Sequence, residues 1–301
     1  MDEHKKLVIF SLASFFVFVN FLIFLRALPS IFIPKAPNYA SDFSSYYIAS
    51  WRLFFDPRHL YAGSSVPGEY FINPKPAAFK YLPSFLLLIF PVILASYQSA
   101  FLYFDLFSFF VLLPLLGVLV YKLLQSKSAI VISIVLYLAL LQYFAIFQYD
   151  LASYYSQWSQ GQDKVLQTFL ILLALYLSKT NRTILGSVVF GLSFFDPRFA
   201  LLATPLFLYY NAKTKKVFIT SIAVGISTIL ASNFLFLYQN LFSQFWVMLT
   251  AYGIQTPLYA YGFIPLFTIL ALTMVEGKEM LSTFRSLFSK PKANRVLVSE
   301  I

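Results

Sequence analysis

The chain has 301 residues, of which 59% are hydrophobic and 11% charged, and its formal net charge is +10. A water-soluble protein of this size does not need such a high fraction of apolar residues to form its core. The composition therefore predicts a protein that is folded in a lipid membrane. The chain has no cysteine, and His4 and His59 are isolated, so we expect no disulfide, no metal and no cofactor. The basic residues lie in short clusters between hydrophobic runs, which argues against nucleic acid as a partner.

Hydrophobic runs recur along the whole chain. A membrane-spanning helix needs about 20 mostly apolar residues, and backbone groups in hydrocarbon must be satisfied within the segment. The predicted fold is therefore all-α, a single polytopic membrane domain over 1–301 with about 8–10 transmembrane or re-entrant helices. The first run is long for a signal sequence and is expected to be a retained anchor. The predicted segments are 7–25, 81–95, 98–121, 128–147, 162–178, 183–210, 217–237 and 262–275.

Lysine and arginine mark cytoplasmic loops, and this rule orients the segments in the plasma membrane. The basic clusters are Lys5/Lys6, Lys122/Lys127, Lys179/Arg182, Lys213/Lys215/Lys216 and the tail 276–301. With all five clusters inside, both termini are cytoplasmic and 26–80 is the first extracytoplasmic loop. Segment 81–95 then does not cross, and segment 183–210 must turn back at Asp196-Pro197-Arg198 as a re-entrant hairpin. Loops 26–80 and 148–164 and the hairpin tip share the outer side, and their polar residues predict a cavity there.

The first outer loop contains a predicted interfacial helix at 41–51. Its positions 43, 46, 47, 50, 51 and 54 share one face at helical spacing, and the aromatic residues on that face suit the headgroup region. Asp42 lies at the start of this helix. Its carboxylate is typical of a helix cap, and the functional alternative is a general base that deprotonates an acceptor hydroxyl.

Four further polar sites interrupt the apolar pattern. Tyr81-Leu82-Pro83, preceded by Lys80, indicates either a helix start with a belt tyrosine or a substrate contact. Asp105 is interpreted as a hydrogen-bonded buried group. The stretch 160–164 indicates either a turn capped by Asp163 or a polar sugar-binding cluster. The acid and the arginine around Pro197 predict either a phosphate clamp or a self-paired bridge.

The order of these motifs resembles a known family. Asp42-Phe43-x-x-Tyr46-Tyr47-x-Ala49, Tyr61, Tyr81-x-Pro83, Gly161-Gln162 and a proline-basic pair follow one another between about residues 7 and 216. They resemble integral membrane glycosyltransferases of the GT-C superfamily, in particular the polyprenol-phosphate-mannose-dependent mannosyltransferases of bacteria and archaea. The family usually has Lys-Pro at the hairpin, whereas here Asp196 precedes Pro197 and Arg198 follows it.

The resemblance implies an inverting transfer of a hexose, commonly mannose, on the extracytoplasmic face. The donor would be a polyprenyl-phosphate sugar, and the acceptor a lipid-linked molecule or a glycan. Asp42 would be the general base, and Arg198 with Lys80 would meet the donor phosphate. Other readings are a lipid or polysaccharide transporter, or a non-catalytic membrane partner subunit. The residues implied in sugar or acceptor contacts are Tyr46, Tyr47, Tyr81, Gln160, Gln162, Asp163 and Asp196.

Overall fold

The computed structural model describes residues 42–61, 79–124, 163–237, 240–250 and 263–288, together with Ser11 and Leu25. Every regular element in these ranges is helical. Short 3₁₀ turns at Pro57–His59, Phe90–Leu94 and Phe234–Leu237 and a π-turn at Ser108–Leu112 connect or interrupt the α-helices. These helices are α1 (Asp42–Phe55), α2 (Ser84–Ile89), α3 (Tyr97–Phe107), α4 (Leu113–Leu124), α5 (Lys164–Lys179), α6 (Thr183–Ser193), α7 (Pro197–Asn211), α8 (Lys215–Ser232), α9 (Leu241–Met248) and α10 (Phe263–Phe288).

The long helices run between two chemically different ends. Helix α5, with 16 residues, is about 24 Å long and sets the distance between these ends. At its start Lys164 contacts Asp163 and Asp196, and we call this the acidic end. At its finish Lys179 donates to the carbonyl of Leu123 at the end of α4, and we call this the basic end.

The chain turns back at the predicted hairpin. Helix α6 ends at Ser193 and α7 begins at Pro197, whose fixed φ angle and missing N–H suit the first turn of a helix. Helix α7 then returns to the basic end, where the amide of Asn211 donates to Ser178 Oγ at 3.0 Å. The arm α7, with 15 residues, is nearly as long as α5, whereas the arm α6 has 11 residues and is shorter.

Both ends of segment 81–95 contact residues of the acidic end. The backbone N–H of Leu82 donates to the carbonyl of Phe195 at the hairpin tip, at 2.9 Å. At the other end of the segment, Tyr47 Oη donates to the carbonyl of Ala95 at 2.9 Å. Helix α2 has only six residues, and the segment that contains it is attached to the hairpin tip at one end and to α1 at the other.

Two helices of the described part have the length and composition of a membrane span. One is the continuous helix Tyr97–Val120, with a mean hydropathy of 2.2, and the other is α8, with a mean hydropathy of 1.4. Only 17% of the apolar window of α8 is buried. Large apolar side chains on its surface, such as Ile219, Ile226 and Leu230, are more than half exposed. This exposure is unlike that of a core helix in a soluble protein, where the apolar face is covered.

Helix α6 lies between α5 and α8, and two glycines allow the close approach. A Cβ atom at Gly186 would stand 2.6 Å from Ser178 Oγ in α5. A Cβ atom at Gly191 would stand 2.7 Å from Cβ of Thr228 in α8. Small residues at such contacts let helix backbones pack closely without a hydrophobic driving force between them.

Three sequence predictions need correction. The first part of the predicted interfacial face of α1 is buried in protein, because Phe43 stacks on Phe101 at 5.1 Å and Tyr46 packs edge-on against Phe85 at 4.7 Å, whereas Phe54 of the same face is 53% exposed. The last predicted segment does not end at 275, since α10 continues to Phe288 and so takes up the first half of the predicted tail. Helix α9 was not predicted.

Segment 128–147 lies outside the described residues, and so does segment 7–25 except for Ser11 and Leu25.

Candidate functional site

Four separate stretches of the chain meet at the acidic end. Helix α1 contributes Tyr46, the stretch before α2 contributes Tyr81, and the start of α5 contributes Asp163 and Lys164. The hairpin tip contributes Asp196 and Arg198, on either side of Pro197. We call these six residues the acidic-end cluster. All except Arg198 are buried.

Asp163 is the focus of the hydrogen bonds in this cluster. Its Oδ1 atom accepts from Tyr81 Oη at 2.9 Å and from Tyr46 Oη at 3.2 Å, and it lies 3.0 Å from Lys164 Nζ. Asp163 is the N-cap residue of α5, but its side chain makes no cap hydrogen bond, so the capping alternative is wrong. The Asp163 carboxylate is instead paired with the hydroxyls of Tyr46 and Tyr81 and with the ammonium of Lys164.

The second carboxylate, Asp196, lies between two cations. Lys164 Nζ donates to its Oδ2 atom at 3.0 Å. The guanidinium of Arg198 donates from Nε to Oδ1 at 2.9 Å and from a terminal nitrogen to Oδ2 at 2.7 Å. This is a two-pronged arginine–carboxylate pair, the geometry that gives strong and specific ion pairs. The self-paired bridge at the hairpin is thus present, and Lys164 extends it to Asp163.

Two buried oxygen atoms of this region have no hydrogen-bond partner among the described residues. They are Asp163 Oδ2 and Gln167 Oε1, which lie one helical turn apart on α5. The amide nitrogen of Gln167 does have a partner, since it donates to the carbonyl of Asp196 at 2.7 Å. A buried acceptor without a donor costs about 1–3 kcal/mol. A ligand with hydroxyl donors would recover this free energy.

The two tyrosines act as donors rather than as bases. Burial raises the pKa of the Tyr46 hydroxyl well above its usual range, and the negative charges of Asp163 and Asp42 raise that pKa further. Tyr46 therefore stays protonated and donates to Asp163. Asp42 is half-buried and lies one helical turn before Tyr46, in the first turn of α1.

The other predicted site residues have different surroundings. Lys80 is half-buried next to Tyr81 in the chain. Tyr47 points to the carbonyl of Ala95 and ties α1 to the end of segment 81–95, which is a structural contact. Gln160 and Gln162 lie outside the described residues.

Asp105 is buried, as predicted, but it does not have the predicted hydrogen bonds within the described ranges. Both of its carboxylate oxygens lack a partner there. It lies two residues before the end of α3, in the last turn before the π-turn of the long apolar helix.

Lys164 is the functional candidate that the sequence analysis missed. It follows Asp163 directly and was treated as part of a helix start, where a lysine normally reaches solvent. The sequence does contain an indication of its role, because Lys164 is a basic residue in a predicted outer loop, where most of the other charged residues considered are acidic. In the structure it is almost fully buried between two carboxylates.

Nothing among the described residues groups three or more histidine, aspartate or glutamate side chains in a way that could hold a metal ion. Comparison with protein-family models, with curated proteins and with solved structures finds no match. The functional argument for this chain therefore depends on the geometry of the acidic end and on the residue pattern alone.

Proposed function

We propose that this chain is a membrane-embedded, inverting hexosyltransferase that uses a polyprenyl-phosphate sugar, mannose being our first choice, as donor. The observation that carries the proposal is the meeting of Asp42, Tyr81, Asp163 and Arg198 at one end of the helices, although they come from four distant stretches. A lipid-phosphate sugar needs a base, a cation and hydrogen-bond acceptors in one place. The lipid-exposed surface of α8 supports a location in the membrane.

The reaction is a single displacement at the anomeric carbon of the sugar. The hydroxyl oxygen of the acceptor attacks this carbon, and the bond between the carbon and the donor phosphate oxygen breaks. The hydroxyl proton passes to the carboxylate of Asp42, and the polyprenyl phosphate leaves with the bonding electron pair. Attack from the face opposite to the leaving phosphate inverts the configuration.

Arg198 is suited to meet the departing phosphate. Its side chain is 20% exposed, whereas that of Lys164 is 5% exposed, so Arg198 is the more accessible cation of the cluster. Lys164 stays bound to Asp196 at 3.0 Å. The guanidinium of Arg198 can therefore turn from Asp196 to a phosphate without leaving that buried carboxylate unpaired, which would cost several kcal/mol.

The sugar would occupy the neighbourhood of α5. Its hydroxyl groups are the donors that Asp163 Oδ2 and Gln167 Oε1 lack among the described residues. A sugar in this position would use the buried acceptors as its specificity contacts, because unpaired polar groups discriminate strongly against ligands that cannot satisfy them.

The proposal is tested by radiolabelled sugar transfer from polyprenyl-phosphate mannose in membranes that contain the expressed protein. Because Asp42 is assigned as base, we expect Asp42→Asn to lower turnover by about 10²- to 10⁴-fold. Asp56→Asn is the matched control, since Asp56 follows the other end of the same helix and pairs with the exposed His59. Undiminished turnover with Asp42→Asn, at equal protein level, would remove Asp42 from the mechanism.

A non-catalytic membrane partner is the second candidate, and the internal pairing of the cluster favours it. Tyr46, Tyr81, Asp163 and Lys164 are closed off from the surface, as expected of a structural network. In that case wild-type membranes transfer neither mannose nor glucose from polyprenyl phosphate. Arg198→Gln then affects stability alone, whereas for an enzyme it raises KM for the donor.

A further inference from the structure

Helix α10 turns its two acids toward the protein. Glu276 is buried, and its carboxylate accepts from Tyr210 Oη at 3.2 Å. Glu279 lies one helical turn further on and accepts from Tyr209 Oη at 3.3 Å. Both tyrosines belong to α7, and α7 and α10 are in contact. The acids of α10 are therefore engaged within the chain, on the face that packs against α7.

The opposite face of α10 is exposed. Its residues recur every three or four positions, which is the spacing of one helical face. They are Leu270, Met274, Lys278, Leu281 and Arg285. The three apolar side chains are 46%, 71% and 59% exposed in chain order, and both cations are exposed. Because an α-helix turns by about 100° per residue, Arg285 points about 180° away from Glu276.

This exposed face changes from apolar to basic along the helix. Leu270 and Met274 come first, and exposed apolar side chains of this kind suit contact with lipid tails. Lys278 and Arg285 follow, where α10 reaches and passes the basic end. Long basic side chains near the ends of membrane helices reach the headgroup region. The face thus has the chemical order of a phospholipid, with an apolar part followed by a part that suits a charged headgroup.

A groove lies on the basic part of this face. Its volume is about 550 Å³, and the described residues that line it are Lys278, Leu281, Ser282, Arg285 and Ser286. Lys278 and Arg285 are about 10 Å apart along the helix axis, so their long side chains can both reach a phosphate placed between them. Neither cation forms an ion pair in the described part of the chain. A negatively charged ligand would supply that pairing.

The other charges of the basic end favour the same class of ligand. Lys122, Arg182, Lys215 and Lys216 are also exposed at this end, whereas Glu279 is its one exposed acid among the described residues. Lys215 and Lys216 lie in the first turn of α8, where the helix dipole disfavours positive charge. Exposed basic residues beside a membrane attract anionic lipids. The basic end therefore favours an anionic lipid over a zwitterionic one.

We propose that this face of α10 binds an anionic phospholipid of the adjoining leaflet. The phosphate lies between Lys278 and Arg285, and an acyl chain lies along Met274 and Leu270. The headgroup gives the two cations a partner, and the acyl chain covers the exposed apolar residues. This site requires the membrane location that is part of the proposed function, but it does not require sugar transfer.

The test measures lipid binding to the purified full-length protein in detergent by native mass spectrometry. The ligands are phosphatidylglycerol, phosphatidylcholine and free glycerol phosphate. We expect phosphatidylglycerol to bind about tenfold more tightly than phosphatidylcholine, since its headgroup has a net negative charge and two cations meet it. Glycerol phosphate should bind more weakly than phosphatidylglycerol, because it has no acyl chain. Equal binding of the two lipids, or binding of glycerol phosphate as tight as that of phosphatidylglycerol, would overturn the proposal.

Two double variants with the same net charge locate the site. Lys278→Gln combined with Arg285→Gln should abolish the preference, and both side chains are exposed, so the risk to folding is small. Lys122→Gln combined with Arg182→Gln removes two exposed charges from the same end, outside the groove, and should keep most of the preference. Equal losses in the two double variants would show that overall charge, not the groove on α10, selects the lipid.

The binding test and the sugar-transfer assay fail separately. A wild-type protein that transfers sugar but does not distinguish the two lipids would refute the lipid site and leave the proposed function standing. A protein that prefers phosphatidylglycerol through Lys278 and Arg285 but transfers no sugar would confirm the lipid site alone.

Discussion

The acidic and basic ends use the same residue types, lysine, tyrosine and carboxylate, in opposite ways. At the acidic end Asp163 and Lys164 are almost fully buried, and the ion pairs measure 2.7–3.0 Å. At the basic end Lys213 and Glu279 are exposed, and the Lys179–Glu276 pair measures 3.7 Å. In the loose pair the lysine is 33% exposed, whereas Lys164 at the acidic end is 5% exposed and lies 3.0 Å from each of two carboxylates, because a buried charge without a partner costs several kcal/mol.

The two ends also differ in what their contacts connect. The acidic end joins stretches that are far apart in the chain, since Tyr46 and Asp163 are 117 residues apart. The basic end joins stretches that are nearer in the chain, since Lys213 and Ser178 are 35 residues apart and Tyr210 and Glu276 are 66 residues apart. Disruption of the acidic end should therefore affect contacts over a longer stretch of the chain than disruption of the basic end.

The largest expected contrast between the ends is their accessibility from opposite sides of a membrane. The chain has no cysteine, so single cysteines can be labelled without background. Gln98→Cys near the acidic end should react with an impermeant maleimide in intact cells. Ser282→Cys near the basic end should react only after permeabilisation. Both positions are exposed, and both substitutions preserve charge. Labelling of both from the same side would contradict the orientation.

The next largest contrast concerns the lysines of the two ends. Lys164→Met leaves Asp163 without its cation, and we expect the free energy of unfolding to fall by about 3–5 kcal/mol. Lys213→Met removes only an exposed helix-end contact and should cost about 0.3–1 kcal/mol. Both values are measured by denaturant unfolding in detergent.

A double variant separates charge pairing from packing in this comparison. Lys164→Met combined with Asp163→Asn removes both members of the pair, while Asp196 keeps Arg198. The double variant should then be more stable than Lys164→Met alone. If it is equally unstable or less stable, the loss in the single variant comes from packing, and the electrostatic account of the acidic end is wrong.

The smallest contrast is expected between two variants that each lose a single tyrosine hydroxyl. Tyr81→Phe removes a donor to the ionised Asp163 and should cost about 1.5–3 kcal/mol. Tyr47→Phe removes a donor to the neutral carbonyl of Ala95 and should cost about 0.5–1.5 kcal/mol. Thermal unfolding of the two variants side by side checks the order, and a larger loss for Tyr47→Phe would show that Asp163 does not depend on its hydroxyl donors.

Much of the helical arrangement could be predicted from local signals in the sequence. Pro197 and the charges beside it indicated the turn between α6 and α7. The alternation of basic clusters and acidic stretches predicted which helix ends lie together, because charged residues avoid the interior of an apolar assembly. The start of α1 at Asp42 followed from the apolar spacing after it.

The remaining features depend on contacts between distant residues, which a single sequence does not reveal. The aromatic face of α1 suits headgroups as well as protein, and only the presence of Phe85 and Phe101 opposite it decides between them. Lys164 is a normal helix-start residue until Asp196 is known to lie 3.0 Å away. The extension of α10 beyond 275 is likewise tied to the contact of Glu276 with Tyr210.

The hydrogen bond between the N–H of Leu82 and the carbonyl of Phe195 places little constraint on which side chains can occur at these two positions. Both atoms belong to the main chain, so almost any side chain at either position preserves the bond, and only proline at position 82 removes its donor. The junction between segment 81–95 and the hairpin tip can thus tolerate independent changes over evolutionary time. The charges beside it cannot, since each carboxylate there must change together with its cation.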